Sequence, residues 1–145
     1  MNDTIGSDES LQRFVAAQET TYDLAMREIS AGHKHSHWMW FIFPQLRGLG
    51  QSATSVRYGI RDLAEASSYL AHPVLAPRLL AATAAVLNSN VPPQEMFGKL
   101  DAMKFASCMT LFAAAAPSNS IFSTAIKRVG SCGETLRRTQ MGEVR

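Results

Sequence analysis

Residues 11–30 read LQRFVAAQETTYDLAMREIS. Leu11, Phe14, Val15, Gln18, Tyr22, Ala25, Met26 and Ile29 recur at spacings of three and four. That period lays them along one face of an α-helix, and no strand keeps it. Ser7 or Ser10 can open the helix by accepting a hydrogen bond from an orphan backbone N–H. Gly32 stands where a left-handed residue would close it. The one polar member of the stripe is Gln18. Its amide needs partners on a buried face, from a neighbouring backbone or from a ligand in a pocket.

Working outward, residues 32–46 read GHKHSHWMWFIFPQL. Residues 37–43 carry no charge, so no face of them suits water, and a short buried helix is expected there. Pro44 would stop it, because the residue before a proline avoids the helical region. RGLGQS then reads as a flexible turn. Asp62 and Glu65 have capping-box spacing and open a helix with Leu63, Ala66, Tyr69 and Leu70. Pro73 suits the first turn of the next helix, through Leu75, Leu79, Leu80, Ala84 and Leu87, with Pro77 awkward inside it. VPP breaks the chain, and a short turn through Met96 and Phe97 ends at Gly98. Asp101 is expected to cap a helix reaching about Ala115. Ile121 to Val129 make another, ended by Gly130, and GETLRRTQ adds a last exposed turn. Alternating β-branched runs and Asn-Gly hairpins are absent. The expected fold is all-α, a compact single-domain array or bundle of about six or seven helices. Residues 1–7 would form a flexible tail and residues 8–145 the domain.

The totals narrow the function. The chain has 145 residues, 46% hydrophobic and 18% charged, which is a globular composition. A net charge of +2 is too mild for nucleic acid, and no basic run interleaves with aromatics. Two cysteines without a CxxC pair fit a reducing cytoplasm. The polar start MNDTIGSDES is no signal peptide. The apolar run from Trp38 to Pro44 falls far short of the ~20 residues of a membrane helix.

Within 32–46, His33, His35 and His37 alternate, but the nearest acids, Asp23 and Glu28, sit on the preceding helix, so no metal site is expected. His37 either anchors the short helix or serves a pocket as acid, base or hydrogen-bonder. Ser36 either caps that helix or bonds a ligand. Trp38 and Trp40 are either core or one wall of an aromatic pocket. A ring stacked there, an anionic group on Lys34 and a directional amide contact from Gln45 make a coherent site. Ser52 and Lys104 complete the polar set. The expected ligand is an anionic small molecule, a nucleotide-like one included. No cofactor is indicated, and no reaction follows from the residues. The alternative is a protein-interaction module in which this segment is core and Met26, Met39, Met96, Met103 and Met109 give an adaptable surface.

The run SHWMWFIFPQLRGLGQS, followed by YLAHPVL, D-x-x-K and MTLF, resembles a bacterial family catalogued as domain of unknown function 1810. Its members often carry a calpastatin-like label. The likeness spans about Leu11 to Phe112. It implies a single all-α domain and no established activity. On the family pattern the matching positions are Arg13, Phe14, Gln18 and Tyr22, then Lys34, Ser36, His37, Trp38, Trp40, Pro44, Gln45, Gly48, Gly50 and Ser52. They continue at Glu65, Tyr69, His72, Pro73, Arg78, Asp101, Lys104, Thr110 and Phe112. His33 and His35 fall where similar proteins often carry other, basic residues. GSCGETL departs from the usual acidic turn, with Glu134 near the acidic place.

Overall fold

The computed structural model describes the backbone of residues 2–144 and the side chains of residues 10–139. The loose tail expected at residues 1–7 lies outside the residues whose side chains are described. Among the described residues there are nine helices: α1 (Asn2–Ala31), α2 (Met39–Ile42), α3 (Ala53–Arg57), α4 (Leu63–Ala71), α5 (Leu75–Asn88), α6 (Pro93–Phe97), α7 (Lys99–Ala115), α8 (Ser120–Val129) and α9 (Gly133–Val144). No strand occurs among them; Leu46 and Ile60 form one isolated parallel bridge. The fold is all-α, as the sequence period requires.

The helical stripe of α1 is the inner face of the array. Leu11, Phe14, Ala25 and Ile29 are buried on it, and so is Gln18. The helix ends as expected at Gly32, whose φ is +79°. The Gly32 N–H donates to the Ile29 carbonyl and the His33 N–H to the Glu28 carbonyl, both at 3.0 Å, which makes a Schellman closure. A Cβ on Gly32 would lie 2.7 Å from Val91 Cγ2. Gly32→Ala therefore combines left-handed strain with a clash and should cost about 1–2 kcal/mol. Urea denaturation measures this directly. A loss below about 0.5 kcal/mol would show that the helix end tolerates a side chain there.

α7 is the central helix. Every residue from Phe105 to Phe112 is buried, so this stretch has no water-facing side. α4, α6, α8 and α9 all pack against it. Rings fill the space between: Phe43 lies edge-on to Phe105 at 4.9 Å, and Trp38 edge-on to Phe97 at 6.2 Å. On the other side Phe14, Tyr69, Phe112 and Phe122 form a second chain of ring contacts.

A buried ion pair ties α1 to the α3–α4 region. Arg13 Nη2 lies 3.2 Å from Glu65 Oε1 and donates to the Gly59 carbonyl at 2.9 Å, while Arg13 Nε donates to the Arg57 carbonyl at 2.8 Å. Ser10 Oγ donates to Glu65, and the Arg61 N–H does so at 2.9 Å. Only half of the expected capping box forms. Asp62 Oδ1 accepts from the Glu65 N–H at 2.8 Å, but the Glu65 carboxylate turns to Arg61 and Arg13 instead of the Asp62 N–H.

Several boundaries differ from expectation. α2 is a single turn beginning at Met39, with Trp38 at its N-cap position, so neither Ser36 nor His37 caps it. α3 stands in the stretch after RGLGQS where no helix was expected, capped by Ser52 Oγ, which accepts from the Ser55 N–H at 3.1 Å. α5 starts two residues after Pro73, and His72 Nδ1 accepts from the Val74 and Leu75 N–H groups at 3.1 and 3.2 Å. Pro77 is then the third helical residue, where a missing N–H costs no helical bond. α7 opens at Lys99 with Gly98 as its N-cap, so Asp101 lies in the first turn and does not cap. The C-terminal GETLRRTQ is no mere exposed turn: Thr135 and Thr139 are buried where α9 meets α7.

Candidate functional site

The loop from His33 to Trp38 is shaped by one buried carboxylate. Glu28 Oε1 accepts from the His35 N–H at 2.8 Å, the Ser36 N–H at 3.0 Å and Trp38 Nε1 at 2.9 Å; Oε2 accepts from Ser36 Oγ at 2.6 Å. Burial pushes this carboxyl up, but the Ser36 hydroxyl and N–H, the His35 N–H and the Trp38 indole outweigh it and hold its pKa at about 2. A carboxylate near a helix C-terminus opposes the helix dipole, so these donors are what keep it charged there.

This loop aims Lys34 at α7. The Lys34 N–H donates to the Met96 carbonyl at 2.8 Å. Its Nζ lies 2.7 Å from Asp101 Oδ2 and 5.1 Å from the Trp38 ring centroid. The Lys34 side chain is only 7% exposed. One turn along α7, Lys104 Nζ approaches Asp101 Oδ1 at 3.2 Å and the Trp40 ring centroid at 4.9 Å, and its side chain is 33% exposed. Burial pushes the Asp101 carboxyl up, and the two lysines overcome this and hold it below its ordinary value. Two cations thus share one carboxylate, and a positive charge is left over.

These groups open onto a cleft of about 290 Å³ lined by Lys34, His37, Trp40, Ser52, Asp101 and Lys104. Five of the nine site residues read from the sequence meet here, from the 33–38 loop, α2, the N-cap of α3 and α7. His37 is exposed at the mouth, able to bond a ligand. Trp40 and Lys104 also line a second cleft of about 480 Å³ with Gln45, Leu100, Cys132 and Arg138. Gln45 is buried, and its Nε2 has no hydrogen-bond partner among the described residues.

The remaining three residues lie in the scaffold. Gln18 Nε2 donates to the Phe41 carbonyl at 2.8 Å and the Tyr69 hydroxyl at 3.2 Å, and its Oε1 accepts from Arg78 at 3.3 Å. Its amide is therefore spent on fixing α2 against α1 and α4. Trp38 is 1% exposed, with its N–H on Glu28. Ser36 is held by the same carboxylate. The decisive residues missed by sequence reasoning are Glu28, weighed only as a metal ligand, Asp101, read as a cap, and Cys132. Glu28 lies three residues after Ala25 on the buried stripe, and an acid at that place was the available signal. Among the described residues no three His, Cys, Asp or Glu side chains converge on a metal position. No single described helix is long and apolar enough to cross a membrane.

No match was found among curated proteins. The solved crystal structure of the conserved hypothetical protein Rv1873 from Mycobacterium tuberculosis is similar at a TM-score of 0.87 and 43% identity, covering 90% of this chain and 96% of that one. The profile of the family described as "Protein of unknown function (DUF1810)" matches residues 8–141. With the match running over nearly the whole chain, the protein belongs to the DUF1810 family.

Proposed function

We propose that the smaller cleft binds a small anionic molecule, a nucleotide-like one included. The observation that carries this reading is the pair of lysines on one carboxylate beside Trp40. The two cations have different duties. Lys34 is buried against Asp101 and is part of the framework. Lys104 is a third exposed, so its bond to Asp101 is screened and costs little to exchange for a ligand oxygen. A phosphate or carboxylate would take Lys104, with Ser52 and His37 at its flank. A ring would lie against Trp40 toward the larger cleft, where Leu100 and Met103 give apolar surface. A cytoplasmic setting fits the two unpaired cysteines.

A thermal-shift screen against nucleotides and sugar phosphates tests the reading. A ligand present at 100 times its Kd stabilises the folded state by about 2.7 kcal/mol. Lys104→Ala should lower the ligand-free melting temperature by no more than a few °C, since the lost bond is partly exposed and Lys34 still pairs Asp101. It should abolish the ligand's shift. A flat screen of the wild-type protein, or a shift that survives in Lys104→Ala, would sink the proposal. A second reading, as a protein-interaction module, draws on Leu100 and Met103, which are 72% and 60% exposed on α7. It predicts a co-purifying protein that Leu100→Glu releases.

A further inference from the structure

The larger cleft carries chemistry that anion binding does not use. Cys132 lines it, and its backbone is fixed because its N–H donates to Thr110 Oγ1 at 2.9 Å. Its carbonyl accepts the first helical bond of α9, from the Leu136 N–H at 3.0 Å, so the thiol sits at the positive end of a twelve-residue helix. Burial pushes this thiol up, and polar contacts from Ser107 and Thr135 outweigh it and hold it below its ordinary value. The other cysteine, Cys108, is fully buried, and burial alone pushes it far up. The independent sign of a ligand is Gln45. This residue lines the same cleft, and its buried Nε2 has no partner among the described residues, so the amide donor lacks an acceptor oxygen.

We propose that Cys132 is a nucleophilic thiol of the larger cleft, forming a mixed disulfide with a small disulfide whose carbonyl or carboxylate oxygen is held by the Gln45 amide. The Cys132 proton goes to solvent, and the thiolate attacks one sulfur of the disulfide. A new S–S bond forms as the old one breaks. The departing half leaves as a thiolate and takes a proton from solvent. Cys132 is oxidised, the leaving half is reduced, and no other reagent is required. Trp40, Leu100 and Met103 supply apolar walls for the organic part, and Lys104 favours an acidic one; Arg138 is already paired with Glu134, which also lines the cleft. The proposal stands apart from nucleotide binding, because its readout is a covalent adduct that forms without any nucleotide.

The test is incubation of the reduced, native protein with oxidised glutathione near neutral pH, followed by intact-mass and peptide-mass measurement. One adduct is expected, on Cys132, with Cys108 untouched and none in Cys132→Ser. Cystamine, which has no acceptor oxygen, should also react. Gln45→Met should slow the glutathione reaction about tenfold, the worth of one hydrogen bond, and leave the cystamine rate unchanged. Gln45→Leu gives the same comparison if the methionine variant does not fold. A native protein that is modified only after denaturation, or first on Cys108, overturns the proposal. Equal rates for wild type and the Gln45 variants with both disulfides remove the amide from it.

Discussion

Replacing Glu28 by alanine is expected to lower stability by about 3–5 kcal/mol, a drop of about 10 °C or more in melting temperature. Four donors converge on this carboxylate, and three of them are backbone or indole N–H groups that cannot turn elsewhere. Its removal leaves each to find water in a buried site, at about 1–3 kcal/mol for a donor that fails. The acid limb of stability checks the same residue. Its folded pKa, about 2, lies below the ordinary 4.5, so the folded state holds its proton less tightly than the unfolded chain. The stabilisation is complete above about pH 4.5 and is lost as pH falls toward 2, about 3 kcal/mol in all. Glu65 and Asp101 are shifted in the same direction and steepen that limb. Glu28→Ala should be weaker at neutral pH and flatter below pH 5. A variant with the wild-type slope would mean that another carboxyl controls acid unfolding.

The second large effect lies at Arg13 and Glu65. Glu65→Leu should cost about 3–5 kcal/mol, because it strands a guanidinium whose side chain is only 15% exposed. Arg13→Met should cost a similar amount, since the 2%-exposed carboxylate loses its closest cation. The double variant should recover most of either loss. Two apolar side chains of similar volume need no desolvation of charge, and buried pairs are often replaced this way at little net cost. The residual deficit would be the Gly59 and Arg57 carbonyls, which lose their donor, and the Ser10 hydroxyl and Arg61 N–H, which lose their acceptor. Urea titrations of the four proteins give the coupling energy. If the losses simply add, the pair does not act as a unit.

These two sites show what a sequence discloses. The α1 stripe was legible because a 3.6-residue period over five turns has no other cause. Gly32, Gly98 and Gly130 were legible as stops, and all three have positive φ. α3 was not, because five residues hold no period and Ser52 alone marks the start. The candidate site was half legible. Lys34, His37, Trp40, Ser52 and Lys104 announced themselves as polar or aromatic residues among apolar ones. Gln18 and Gln45 read alike in the chain. Only the fold gives one amide three partners and leaves the other's nitrogen with none. Asp101 looked like a cap because its spacing suited one, and its partnership with Lys34 spans 67 positions of chain that no local pattern can register.

The way Glu28 holds its loop has a consequence for how this surface can diverge. It grips the His35 and Ser36 main-chain N–H groups, which every residue but proline supplies. The loop's path is thereby uncoupled from the side chains at 33 and 35, which project outward with their rings 4.5 Å apart. Relatives can exchange those two residues and repaint the rim, while Lys34 keeps its aim at Asp101. The anchor fixes the path of the loop, and the rim leaves its side chains free to change.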